Sequence, residues 1–158
     1  MPKSPKQSRR ADVPDAHHVA RYCRQQLVIH DPHTNKVLGA FPQVFELRPR
    51  EPYLSVYWME PLADDIQAQF KGVLRSLRRK YAVHRDGAFA RVNAGRVVAA
   101  GASRGHSIRI RDRSNPQDLG YASIVGTPAD NSDQTLLALF VGECCSAVHG
   151  TTEIEGFG

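Results

Sequence analysis

Apolar positions along this chain of 158 residues change period several times, and each change marks an element. Between Leu62 and Tyr81, the residues Ile66, Phe70, Val73, Leu74, Leu77 and Tyr81 recur at helical spacing. Asp64 and Asp65 open this stretch and Arg78, Arg79 and Lys80 close it, each sign of charge at the helix end that favours it. A second amphipathic pattern, from Ser132 to His149, places Leu136, Leu137, Phe140, Val141, Cys144 and Val148 on one face. Asn131 or Ser132 is suited to cap that helix and Gly150 to stop it.

Strand patterns fill the remainder. Gln26–His30 and Val37–Leu47 flank a turn-rich Asp31–Asn35, and Pro42 makes the second of them an edge or interrupted strand. Tyr53–Trp58 is dense in aromatic and β-branched residues, with Tyr53 and Tyr57 on one face and Trp58 on the other. Ala88–Val92 and Arg96–Ala100 read as a hairpin closed by Asn93-Ala94-Gly95. Ser107–Arg113 alternates, with Ile108 and Ile110 opposite Arg109, Arg111 and Arg113, and Tyr121–Val125 completes the set. The expected fold is α+β, a mostly antiparallel sheet of five to seven strands with the two amphipathic helices packed on one face. Residues 1–16, rich in Lys, Arg, Pro and Ser, read as a flexible basic arm before a single domain over 17–158.

Charge changes this picture more than bulk composition does. The net charge of +5 hides a strong segregation. Residues 71–113 hold twelve basic and two acidic side chains, whereas residues 114–158 hold six acidic and no basic ones. Within the basic segment, Lys71, Arg75, Arg78 and Arg79 share the outer surface of the first helix, and Arg109, Arg111 and Arg113 line one face of a strand. Cations projecting from rigid elements toward one polyanion are what phosphate binding requires, since counterion release drives association. A plainer account is that an amphipathic helix needs a polar outer face and that the acidic end neutralises part of the stripe. Aromatic residues are not interleaved with the basic ones in the sequence, as they are in single-strand binders.

Other chemistry is sparse. The three cysteines, Cys23, Cys144 and Cys145, lack framework spacing and fit a reducing compartment, with the cytosol as the default. No run of about 18 apolar residues is present, so no membrane association is expected. Arginine outnumbers lysine and no lysine follows Lys80, which reads as genomic base composition of a bacterial kind. Cys145 and His149, four apart on the second helix, are the candidate metal pair, but no CxxC or HxxxH anchors a site. His106, His18 and Asp112 are the catalytic candidates, the first and last within the basic segment, with His17 beside His18. Phosphate-loop, dinucleotide-binding, nucleophile-elbow and zinc-protease motifs are absent, and no cofactor is implied.

His17–Cys23, Tyr53–Trp58 and Leu136–His149, about a fifth of the chain, resemble segments of small bacterial proteins of similar length. The resemblance implies an accessory role of the sort found in conflict or mobile-element loci, and it carries no activity, cofactor or site residue.

The reading that follows is a non-enzymatic binding or accessory module whose basic segment contacts nucleic acid or an acidic protein partner. A small His-dependent hydrolase or nuclease is the alternative. A self-associating subunit, with the acidic end of one copy meeting the basic segment of another, is a further one. All of them turn on whether the helix and strand stripes share a face.

Overall fold

The computed structural model describes residues 11–128 and 130–158. Its centre is a six-stranded antiparallel sheet in the order β6-β7-β4-β1-β5-β8. The strands are β1 (His18–Cys23), β4 (Leu54–Trp58), β5 (Ala88–Asn93), β6 (Arg109–Asp112), β7 (Tyr121–Val125) and β8 (Cys145–Gly150). A separate two-stranded ribbon joins β2 (Val28–His30) to β3 (Val37–Ala40). Four α-helices complete the α+β fold: α1 (Ile66–Arg78), α2 (Ala94–Ser103), α3 (Asn131–Glu143) and α4 (Thr151–Glu155).

The helices occupy both faces of the sheet, so the two amphipathic helices do not pack on one face as the sequence suggested. Alternation along the strands builds two cores. Val19, Leu54, Val56, Ala90, Val92, Ile110 and Ile124 point to one face, where Val97 of α2 and Leu137 and Val141 of α3 cover them. Ala20, Tyr57 and Phe89 point to the other, under Phe70, Val73, Leu74 and Leu77 of α1 and Ile154 of α4. A sheet rich in apolar residues on both faces has to be covered twice.

Three sequence expectations change for local reasons. The expected hairpin over 88–100 is strand β5 followed directly by α2. Asn93 caps that helix by accepting from the Arg96 amide, and Ala94, Val97 and Gly101 are buried at helical spacing. The expected helix from Ser132 to His149 stops at Glu143. Cys145–Gly150 instead pairs with the outer edge of β5, where backbone hydrogen bonding outweighs the marginal helical pattern of Ser146-Ala147-Val148. The cap of α3 is Asp130, which accepts from the Asp133 amide, and Gly150 is the N-cap of α4.

The first helix is also shorter than its pattern. It runs from Ile66, capped by Asp65, to Arg78, and Tyr81 lies beyond it with 65% of its surface exposed. The Lys80 and Tyr81 amides still bond to the Leu77 carbonyl, so this segment turns off the helix end over the sheet. Residues 11–13 do not belong to an arm. The Val13 amide donates to the Ile110 carbonyl, the Asp112 amide donates to the Ala11 carbonyl, and the Val13 side chain is buried. The expected arm over residues 1–10 lies outside the described residues.

Candidate binding cleft

The sheet forks between its two central strands. β1 and β4 are paired only at Val19 with Trp58 and Ala20 with Tyr57. Further along, β1 continues against β5 and β4 against β7. Backbone carbonyls at the fork lose their ladder partners, and a buried arginine takes over. Arg21, 3% exposed, donates to the carbonyls of Val44 and Ser55 and makes a two-pronged pair with Glu51, at 3.2 and 3.3 Å. Burial works to raise the Glu51 pKa, but the Arg21 guanidinium and the Arg48 amide overcome it and hold the carboxyl below its usual value.

The fork opens into a cleft of about 380 Å³ on the α1 side of the sheet. Its floor is made by Ala20, Tyr22, Ser55, Tyr57 and Tyr121, side chains that alternation points to this face. One wall is the end of α1 and the segment after it, Leu77 and Lys80 to Ala82. Arg24, Arg48 and Glu51 form the opposite rim. Four of these thirteen lining residues are tyrosines (Tyr22, Tyr57, Tyr81 and Tyr121) and four are cations (Arg21, Arg24, Arg48 and Lys80).

Pairing decides which cations remain available. Arg21 is held by Glu51, and Lys80 Nζ lies 2.7 Å from Asp118 Oδ2 and 4.2 Å from the Tyr121 ring centroid. Arg24 and Arg48 have no hydrogen-bond or ion-pair partner among the described residues, so they supply the unneutralised charge of the rim. Burial, then the neighbouring Arg21 and Arg24 guanidiniums, pull the Arg48 pKa below its usual value and outweigh the opposing Glu51 carboxylate.

The phenols are linked to one another. Tyr121 Oη lies 3.1 Å from Ser55 Oγ and 3.3 Å from Tyr53 Oη. The Tyr57 hydroxyl donates to Asp118. Burial pushes the Tyr121 hydroxyl up to about 12 against the opposing Ser55 hydrogen bond, and burial with the Asp118 carboxylate pushes Tyr57 well above the phenol range. Both are therefore neutral hydrogen-bonding groups at physiological pH.

The basic residues singled out from the sequence divide around this cleft. Arg109, Arg111 and Arg113 alternate with the core-facing Ile108 and Ile110, so they project to the side of the sheet that α1 covers. Arg113 stacks 4.4 Å from the Tyr53 ring centroid and donates to Ser123 Oγ, which ties it to the phenol row. Arg109 pairs with Asp12 at 3.1 Å. Arg79 approaches the β6–β7 connection at Leu119, next to the Lys80–Asp118 pair. Lys71 and Arg78 line the other flank of α1 toward α4, where Lys71 donates to the Phe157 carbonyl and Arg78 pairs with Glu155 at 2.8 Å, and Arg75 lies between the two flanks, reaching both. Asp118 and Glu155, from the acidic end, thus neutralise basic side chains within the same chain.

The catalytic and metal candidates do not converge. His106 precedes β6 while Asp112 ends it, with its carboxylate accepting from the Ser114 amide and hydroxyl. His18 Nδ1 lies 2.7 Å from Glu60 Oε2, and His17 Nδ1 accepts from Trp58 Nε1; none of these residues lines the cleft. Cys145 and His149 sit on a strand rather than a helix. Four residues of strand span about 13 Å, too far to share an ion. Among the described residues no group of three or more His, Cys, Asp or Glu is placed to hold a metal. Nor is any helix among them long and apolar enough to cross a membrane.

Sequence reasoning missed Arg21, Arg24 and Arg48 because they fall in residues 11–70, where eight acidic side chains outnumber five basic ones. It also missed the juxtaposition of rings and cations, which the fold assembles from four separate stretches of chain. No family model, curated protein or solved structure matches the chain.

Proposed function

We propose that this protein is a non-enzymatic binding module that takes up polyanions, nucleic acid foremost, in the forked-sheet cleft and along the basic face beside it. The observation that carries this reading is the pair of unneutralised guanidiniums, Arg24 and Arg48, on the rim of a cleft floored by tyrosines. Two guanidiniums with no ion-pair partner among the described residues attract a phosphate chain, and rings at the same place favour nucleic acid over an acidic polypeptide, whose side chains offer no planar surface to stack. Arg111, Arg113 and Arg79, on the same side of the sheet, extend the positive path beyond the cleft.

Affinity for single-stranded and duplex oligonucleotides, for heparin and for polyglutamate, measured by anisotropy or competition across a salt series, tests the reading. Nucleic-acid affinity is expected to fall with salt, with a log–log slope of about −0.7 to −0.9 per phosphate contacted. Replacing Arg24 and Arg48 together by Glu is expected to abolish binding, whereas Arg78→Glu, on the flank of α1 that faces α4, should change it little. Absence of binding to every polyanion at low ionic strength overturns the proposal. Preference for polyglutamate over nucleic acid reassigns the face to an acidic protein partner.

A further inference from the structure

We infer that the cleft is a nucleotide site, in which one base rests against the tyrosine wall while its phosphate meets Arg24 and Arg48; this rests on the polyanion-binding reading and specifies what the cleft itself recognises.

Three features of the cleft point this way. Its size is the first. About 380 Å³ lies within the range of small-molecule sites and suits one base with its sugar, whereas a backbone track alone needs only a shallow groove.

The second is the state of the rings. Tyr22 is packed 5.2 Å from Phe89 and Tyr57 is buried, so those two are structural floor. Lys80 Nζ lies 4.2 Å from the Tyr121 centroid and farther, 5.8 Å, from that of Tyr81. Tyr81 is the most exposed of the four: it lies past the end of α1 and contributes nothing to either core, yet it lines the cleft with 65% of its surface exposed. A large exposed aromatic ring above a polar floor is a surface on which a base can stack, and stacking tolerates any base because each has a π-face.

The third is the polar geometry beneath it. Ser55 Oγ and Tyr121 Oη, neutral groups able to donate or accept, lie 3.1 Å apart on the floor, and Glu51 lines the rim. Such groups suit the mixed donor and acceptor edge of a base, while the two guanidiniums suit the phosphate on the opposite side. A duplex cannot present a base to this cleft without unstacking it, so the site discriminates for single strands or free nucleotides.

The experiment measures binding of a free nucleoside monophosphate, a short single-stranded oligonucleotide and the duplex of the same length, at about 50 mM salt. It uses the full chain and the variants Tyr81→Ala, Tyr81→Phe, and Arg24→Glu with Arg48→Glu. Tyr81 is exposed, so its replacement leaves the fold intact, which thermal unfolding checks. The expected result is single-strand affinity above duplex affinity, lowered about tenfold by Tyr81→Ala and restored by Tyr81→Phe, with duplex affinity unmoved by either. Binding of the free monophosphate with the same Tyr81 dependence identifies a small nucleotide as the ligand. Tyr81-dependent binding of the oligonucleotide alone identifies a strand. Binding that depends on Arg24 and Arg48 but not on Tyr81, equal for strand and duplex, overturns the nucleotide site and leaves the polyanion reading standing. No binding of any probe, heparin included, overturns both.

Discussion

The Tyr57 hydroxyl donates to Asp118 Oδ1 at 2.8 Å, while the other oxygen of that carboxylate lies 2.7 Å from Lys80 Nζ. One buried carboxylate therefore joins a central strand, the β6–β7 connection and the segment after α1, and it holds two residues that line the cleft, Tyr57 and Lys80. Tyr57→Phe removes a donor to a buried charge without altering the ring. A hydrogen bond to a charged group contributes about 1.5–3 kcal/mol, so urea unfolding should show a loss of that order. An unchanged midpoint would mean that Lys80 alone satisfies Asp118.

The same phenols predict the response to alkali. Burial is the main cause of the raised pKa of both Tyr57 and Tyr121, which means that the folded state holds these protons more tightly than the unfolded chain does. Their contribution to stability is complete below the unfolded phenol value of 10.0 and is lost as the pH rises above it, for Tyr121 through about 12. The urea midpoint should hold level between about pH 7 and 9 and fall above about 10. In Tyr57→Phe the alkaline fall should be shallower, because one of the two linked phenols is gone; an equally steep fall would show that Tyr57 is not linked to folding.

Arg21 holds the fork, so Arg21→Ala leaves the Ser55 and Val44 carbonyls without this donor and the Glu51 carboxylate with the Arg48 amide but no countercharge from Arg21. Breaking a buried pair by removing one partner costs about 3–5 kcal/mol, a large share of the stability of a domain this size. Denaturant unfolding checks the magnitude. A loss below about 1 kcal/mol would place the pair in the surface class, where ion pairs contribute little.

At Gly101 two effects of opposite sign compete. Alanine is favoured over glycine within a helix by about 1 kcal/mol. A Cβ at Gly101, however, would collide with Ile108 Cγ1 and lie 2.9 Å from its Cβ, where α2 crosses the approach to β6. Overpacking of this kind costs about 1–3 kcal/mol, and the Cβ of Ile108 is not the far end of a flexible chain. Gly101→Ala should therefore lower the melting temperature, and a rise would show that α2 slides away from β6 without penalty.

Thiol chemistry gives a further check on the cores. Burial, then the neighbouring Cys145 thiol, pushes the Cys23 pKa up to about 12, and burial also raises those of Cys144 and Cys145. Since the thiolate is the reacting form, labelling of the native protein by a disulfide reagent at neutral pH should be at least about tenfold slower than in denaturant, where all three cysteines become available. Fast labelling of one thiol in the native protein would mark a segment that opens locally, and mass mapping would identify it.

Several features of this protein were legible in its sequence because they are local. Helix α1 announces itself through apolar spacing from Phe70 to Leu77 with matching end charges, and β4 and β7 through β-branched and aromatic runs. The parity of β6, with isoleucines inward and arginines outward, also follows from neighbours two apart. The segment after Glu143 was decided by the tertiary structure, because the free edge of β5 offers it hydrogen bonds that no helical pattern foretells. The faces on which the helices lie were decided in the same way.

The cleft is the clearest case of this division. Residues 71–113 carry a charge excess that any count of side chains reveals, yet of that segment only Leu77 and Lys80–Ala82 line the cleft. Its unpaired cations come from residues 24 and 48, and its rings from residues 22, 57, 81 and 121. Periodicity reports what one element buries, and composition reports how much charge a stretch holds. A cleft is a relation among elements distant in the chain, so it exists only once the sheet has forked around Arg21 and α1 has packed across it.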